Sequence, residues 1–225
     1  YTGSMTCIVA IAQNGTVYMG SDHAASDEKT GWILSRKEPK VFKVGQYGIA
    51  FTDSFRMGQI LQYSWTPPKY TPTKTNSGLD KFMRTKFIDS VKVAFKDGGY
   101  GSIGSSSEED TGGIFIVGVC GRLFTIDEDF HVGENVVNYM AEGSGGMIAL
   151  GALHATKKQR NPRLRLKAAL EAAKSRLAVA REANDYSAEV EVSKDIARLG
   201  YEEARLQEFK SSSENLAKEQ PVRNI

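Results

Sequence analysis

Two apolar runs, CIVAIA and VYMGS, flank the turn QNG within residues 3–22 (GSMTCIVAIAQNGTVYMGSD), and the second run ends on an aspartate. Asn14-Gly15 supplies the positive φ angles of a tight turn, so TCIVAIA and TVYMGSD pair as a hairpin. Thr6, at the lip of that hairpin, has two readings. It is either the residue that opens a strand or the nucleophile of an enzyme.

The strand pattern continues over residues 6–52, with KVFKV and YGIAF as a second pair about GQ. Helical spacing then begins. SFRMGQILQYS places Phe55, Gln59 and Gln62 on one side and Met57, Ile60 and Leu61 on another. TPPKYTPTKTNSG (66–78) holds three prolines and is a loop. A second helix is expected over about 79–96, carrying Phe82, Met83, Phe87, Val91 and Phe95. The glycine- and serine-rich stretch 97–113 reads as a long flexible loop. Strands resume with IFIVGVC, the turn GR and LFTID, and again near VNYMAEG.

From Gly143 the pattern turns helical. A break at NPR, where Pro162 suits a first helical turn, precedes an amphipathic stripe of Leu166, Leu170, Ala173, Leu177 and Ala180. Strands, two helices, strands, two helices is an order that suggests two antiparallel sheets between helix layers: an α+β, four-layer architecture. After about residue 184 the composition changes. SAEVEVSK alternates like a strand, yet Val192, Ile196, Leu199, Leu206 and Phe209 also fit helical steps. The expectation is a mostly helical tail facing an oligomer or partner, with disorder after Pro221.

Hydrophobic content of 40% and charged content of 25% are those of a soluble globular protein. A net charge of +2 makes no case for nucleic acid, and the basic run KKQRNPRLRLK reads as a solvated helix start. Cys7 and Cys120 lie in apolar runs and read as small buried hydrophobes, which fits a reducing compartment such as the cytoplasm. There is no 18-residue apolar run and no signal peptide, so neither membrane spanning nor export is expected. His23, His131 and His154 are scattered, giving no metal spacing. Gly143, Gly145 and Gly146 do not follow phosphate-loop spacing, so no cofactor is expected. YTGS before Met5 reads as an expression scar, with Met5 the native initiator.

A threonine hydroxyl needs an adjacent base to act as a nucleophile. When threonine is the first residue, its own α-amine, titrating near pH ~8, can take the proton. That chemistry requires Thr6 to become the N-terminus. Removal of Met5 would provide this, since methionine is trimmed before a small side chain.

TCIVAIAQNGTVYMGSD resembles the opening of proteasome β-type peptidases and of the related bacterial ATP-dependent protease subunit, the N-terminal nucleophile hydrolases. Thr6 and Asp22 keep the family's spacing. Lys40 of KVFKV stands where a family lysine opens the next strand pair, and AEGSGGMIALGALHA matches the start of the third helix with Ser144. LRLKAALEAA resembles the fourth helix, and FTDSFRMGQIL the first helix of bacterial and phage-encoded members. The likeness covers roughly residues 6–175.

The resemblance implies an αββα fold over 6–183, with residues 1–5 outside it and 184–225 a helical or remodelled tail. It implies that Thr6 attacks an amide carbonyl with its α-amine as base. Lys40 would lower the proton affinity around the hydroxyl, Asp22 would orient the lysine, and Ser144 would hold the amine. A family glycine at the start of the first helix donates its N–H to the oxyanion. In TDSF, Asp53 or Ser54 stands there, and an Asp53 carboxylate would oppose developing negative charge. The family has a further pair, an aspartate and a serine three apart after the fourth helix; EANDYS offers Ser187 there, with Asn184 three residues before it and Asp185 two before it. Stacked homo-oligomeric rings, unfolded polypeptide substrates and a partner ATPase are also implied. The alternative is a scaffold that keeps the fold without the chemistry and assembles through its tail. Each site residue keeps its plainer reading: Asp22 as a turn former, Lys40 as a solvated strand lysine, Ser144 as a helix cap.

Overall fold

A computed structural model describes residues 6–26, 33–72, 77–100, 113–184 and 205–210. Asn14 and Gly15 take φ of 52° and 74°, the geometry that Asn-Gly was expected to supply. They join β1 (Ile8–Gln13) to β2 (Thr16–Ser21) in register from Ile8↔Ser21 to Gln13↔Thr16. β3 (Ala24–Ser26) and β4 (Ile33–Ser35) form a separate two-stranded pair. β5 (Val41–Val44) and β6 (Tyr47–Phe51) then pair about Gly45, at φ 54°.

The first helix, α1 (Phe55–Gln59), widens without a break into a π-helical turn at Ile60–Ser64. Its second counterpart starts as α2 (Leu79–Phe82), passes through a π-helical turn at Met83–Phe87 and continues as α3 (Ile88–Asp97). Met57, Ile60, Leu61, Met83, Phe87 and Val91 are all fully buried, which is the face the apolar spacing indicated. β7 (Phe115–Val119) and β8 (Arg122–Ile126) follow, then a short β9 (Val132–Gly133) and β10 (Tyr139–Glu142). The β7–β8 turn lies one residue earlier than expected, on Cys120 and Gly121, both at positive φ. Gly121 has no room for a side chain. A Cβ there would stand 2.8 Å from the backbone of Gly15, because the two hairpin turns pack on each other.

α4 (Gly146–Ala155) and α5 (Pro162–Asn184) close the described chain apart from one strand. That strand, β11 (Arg205–Lys210), runs antiparallel to β2 from Arg205↔Ser21 to Lys210↔Thr16. The helical expectation for the tail therefore fails at Leu206 and Phe209. In RLQEFK the two apolar residues stand three apart, a helical step rather than the two-residue step of a strand. The edge of β2 left free by β1 offers backbone partners that a helix does not need. The expectations for residues 1–5, 185–204 and 211–225 lie outside the described residues.

Two sheets result, ordered β10-β1-β2-β11 and β5-β6-β7-β8-β9. Their side chains sort into three cores. Ile8, Ala10, Val17, Met19 and Met140 of the first sheet meet Val41, Ala50, Ile116 and Leu123 of the second. The other face of the first sheet, with Cys7, Val9, Ile11 and Tyr139, packs on Ala149, Leu153, Leu166, Leu170 and Ala173 of α4 and α5. The other face of the second sheet packs on Met57, Ile60, Met83, Phe87, Val91 and Phe95. Strand alternation explains the division. Ile8, Ala10 and Ala12 point one way from β1 and Cys7, Val9 and Ile11 the other. No helix among the described residues is long and apolar enough to cross a membrane.

Candidate active site

Thr6 precedes β1 on the same side as Ile8, so its side chain points between the two sheets. Lys40 precedes β5 and reaches it from the second sheet: Lys40 Nζ donates to Thr6 Oγ1 at 3.1 Å. The same ammonium donates to Asp22 Oδ1 at 2.6 Å. Asp22 directly follows β2, and its backbone N–H donates to the Cys7 carbonyl at 3.1 Å. Its second carboxylate oxygen, Oδ2, accepts from the Cys7 N–H at 2.9 Å. Thr6, Asp22 and Lys40 are all buried, Lys40 and Asp22 to 1% exposure. Burial pushes the Asp22 carboxyl above its ordinary range, against the pull of the Lys40 ammonium and the N–H groups of Cys7 and Ala24. Burial likewise raises the Cys7 thiol to about 12, with the Asp22 charge adding to it and Lys40 opposing it.

The turn between β10 and α4 holds the backbone of Thr6 at both ends. Ser144 Oγ accepts from Thr6 N at 3.0 Å, and Gly145 N–H donates to Thr6 O at 3.0 Å. Gly143, at φ 90°, makes the close approach possible: a Cβ there would lie 2.4 Å from the Thr6 carbonyl oxygen. In this chain Thr6 N is a peptide nitrogen bonded to Met5. In a protein beginning at Thr6 the same atom is the α-amine.

The start of α1 adjoins this group through the β5–β6 pair, where Phe51 N–H donates to the Lys40 carbonyl at 3.1 Å. Asp53 sits at φ 60°, the left-handed region in which glycine is at ease and aspartate is tolerated. Its carboxylate is tied to its neighbour: Thr52 Oγ1 donates to Asp53 Oδ2 at 2.5 Å. Ser54 caps α1, its Oγ accepting from Met57 N at 3.2 Å. Thr6, Asp22, Lys40 and Ser144 are thus brought together, whereas Asp53 and Ser54 form the adjoining helix start. Asp185 and Ser187 lie outside the described residues.

The sequence reading weighed Gly143 and Gly145 only against phosphate-loop spacing and missed their contacts with Thr6, as it missed the Cys7 N–H. The first two stand in the EGSGG stretch quoted for Ser144, so a signal existed. The Cys7 contribution is a backbone group and has none. The three histidines are engaged separately: His23 with the Arg36 carbonyl, His131 with Asp127 and His154 with Tyr139. Among the described residues no group of three or more His, Cys, Asp or Glu is placed to hold a metal ion.

In fold the chain is similar to Thiobacillus denitrificans BPH, with a TM-score of 0.64 at 16% identity over 92% of this chain and 98% of that one. A second structure, of BPH in complex with epoxomicin, gives 0.62 at 15% identity over 92% and 99%. Eukaryotic HslV from Trypanosoma brucei gives 0.55 at 14% identity over 91% and 99%. No protein-family model matches the chain, and no curated protein matches it. The mixed helix-and-strand fold of this protein is therefore that of the HslV-like structures, as the resemblance in its opening residues implied.

Proposed function

We propose that this protein is a proteasome-like threonine peptidase that hydrolyses peptide bonds once Thr6 is the N-terminal residue. The observation that carries the reading is the convergence of Lys40 Nζ on Thr6 Oγ1 at 3.1 Å, with Ser144 Oγ 3.0 Å from Thr6 N. The three cores support the four-layer αββα arrangement, helices against sheet against sheet against helices. In the reaction, Thr6 Oγ1 bonds to the substrate carbonyl carbon and its proton passes to the α-amine. The Lys40 ammonium favours the ionised hydroxyl, and Asp22 holds the ammonium in place. Backbone N–H groups at Asp53 and Ser54 take the oxyanion. Collapse returns the proton to the leaving amine and leaves an ester on Thr6, which water then cleaves with the same amine as base.

The fold and the exposed apolar side chains of its helices also support a homo-oligomeric ring or stacked rings, acting on unfolded polypeptide with a partner ATPase. Cytoplasmic location is part of the same reading. A second reading, an inactive scaffold of the same fold, is favoured by one observation: Asp53 places a carboxylate at the helix start where negative charge would develop.

The deciding experiment uses protein cleaved so that it begins at Thr6 and follows hydrolysis of fluorogenic peptides beside Thr6→Ala. A rate lost in Thr6→Ala supports the peptidase; equal rates leave the scaffold. Epoxomicin, which one BPH structure holds, is a second probe. A thermal shift abolished by Thr6→Ala is expected.

A further inference from the structure

Phe55 has no part in the mechanism above, yet its ring stands beside the group on which that mechanism depends. The Lys40 ammonium lies 5.8 Å from the centre of the Phe55 ring, within the range of a cation–π contact. An ammonium has three N–H donors; Asp22 and Thr6 take one each. Lys40 is 1% exposed while Phe55 is half-buried, so the ring screens the ammonium from solvent.

The ring is itself held in place. It meets Phe51 edge-on, with centroids 5.7 Å apart and planes at 84°. Phe51 is buried, and its backbone pairs with Lys40 through the 3.1 Å hydrogen bond at the end of β5 and β6. Gly58, one turn along from Ser54, makes room for Phe51: a Cβ there would fall 2.3 Å from the Phe51 ring. Ser54 fixes the first turn of α1 through Met57 N. Helix start, buried ring and strand end thus define where the Phe55 ring stands relative to Lys40.

Resting on the peptidase reading, we propose that Phe55 is a positioning residue for the nucleophile. Its aromatic face holds the Lys40 ammonium on Thr6 Oγ1 and keeps it dry, so that the positive charge acts on the hydroxyl through a low effective dielectric. An aliphatic side chain of similar bulk excludes water but offers no negative ring face. A larger aromatic one offers both.

The test is steady-state hydrolysis of a fluorogenic peptide by protein beginning at Thr6, comparing the parent with Phe55→Leu, Phe55→Met, Phe55→Trp and Thr6→Ala. Phe55→Leu and Phe55→Met should lower kcat by about twofold to thirtyfold, the range of one cation–π contact, with KM nearly unchanged. Phe55→Trp should retain the parental kcat. Parental kcat in both aliphatic variants overturns the proposal. So does a raised KM with kcat intact, which would make Phe55 a substrate-contacting wall. Two aliphatic variants guard against one that fails to fold. If the parent is no faster than Thr6→Ala, the peptidase reading itself fails and takes the proposal with it. That pattern is distinct from an active parent indifferent to residue 55.

Discussion

Lys40 and Asp22 form an ion pair at 2.6 Å with both side chains withdrawn from water, so neither charge can be removed alone without consequence. Lys40→Met leaves the Asp22 carboxylate buried with only the N–H groups of Cys7 and Ala24 around it. A loss of about 3–5 kcal/mol is expected. Lys40→Met combined with Asp22→Asn should recover part of it, because no buried charge then remains. Urea unfolding of both single variants and the double variant measures the coupling; strictly additive effects would contradict an energetic pair. Cys7 gives a pH dependence with a defined sign. Its thiol is raised to about 12 in the folded chain, whereas an unfolded thiol titrates near 9.0. Between these values the unfolded chain loses its proton and the folded one keeps it. Stability should therefore fall as pH rises from about 9 towards about 12, and Cys7→Ser should flatten that limb. At pH 8 the native thiol should resist a disulfide reagent that labels it in denaturant.

At the scale of elements, the turn joining β10 to α4 carries more than one side chain. Gly143 at φ 90° lies so near Thr6 that an added methyl must displace the threonine carbonyl. Gly143→Ala should cost about 2–4 kcal/mol, combining left-handed strain with overpacking, and should lower peptide hydrolysis beyond what the lost stability explains. Comparing activity at a temperature where both proteins are folded separates the two effects. This turn also shows what the sequence could convey. The hairpin of β1 and β2 was legible because Asn-Gly dictates its own backbone angles, and the burial of Met57, Ile60 and Val91 followed from spacing alone. Lys40 was identifiable only by likeness, since KEPKVFK offers three lysines and nothing local says which one turns inward. Gly143 was visible as a glycine, but its contact with Thr6 joins residues 137 positions apart and depends on β1 pairing with β10. β11 misled because Leu206 and Phe209 stand three apart, which fits the helical period and not the two-residue period of a strand. The strand depends instead on the free edge of β2, a property of another segment.

For the molecule as a whole, the surface beside α4 is where assembly should be decided. GMIALGALHA is apolar around nearly its whole circumference, so packing one face on β1 and α5 leaves another outside. Met147 is 79% exposed there, and Leu164, near the start of the adjoining α5, is 52% exposed. At Gly151 a Cβ would meet nothing within 4 Å. An apolar helix face left in water favours association, and a ring or stacked rings would cover it. Met147→Glu together with Leu164→Glu places a charge at each of these two exposed positions without touching the core or the Thr6 group. Native mass spectrometry of the parent should give a multiple of the chain mass, and the double variant a smaller assembly or a monomer with an unchanged unfolding midpoint. A monomeric parent would remove the ring from the functional reading. A double variant that assembles as the parent does would move the contact elsewhere on the surface. If assembly and peptide hydrolysis are lost together in a variant whose fold is intact, the site is complete only when subunits meet. That result would tie the chemistry at Thr6 to the quaternary structure.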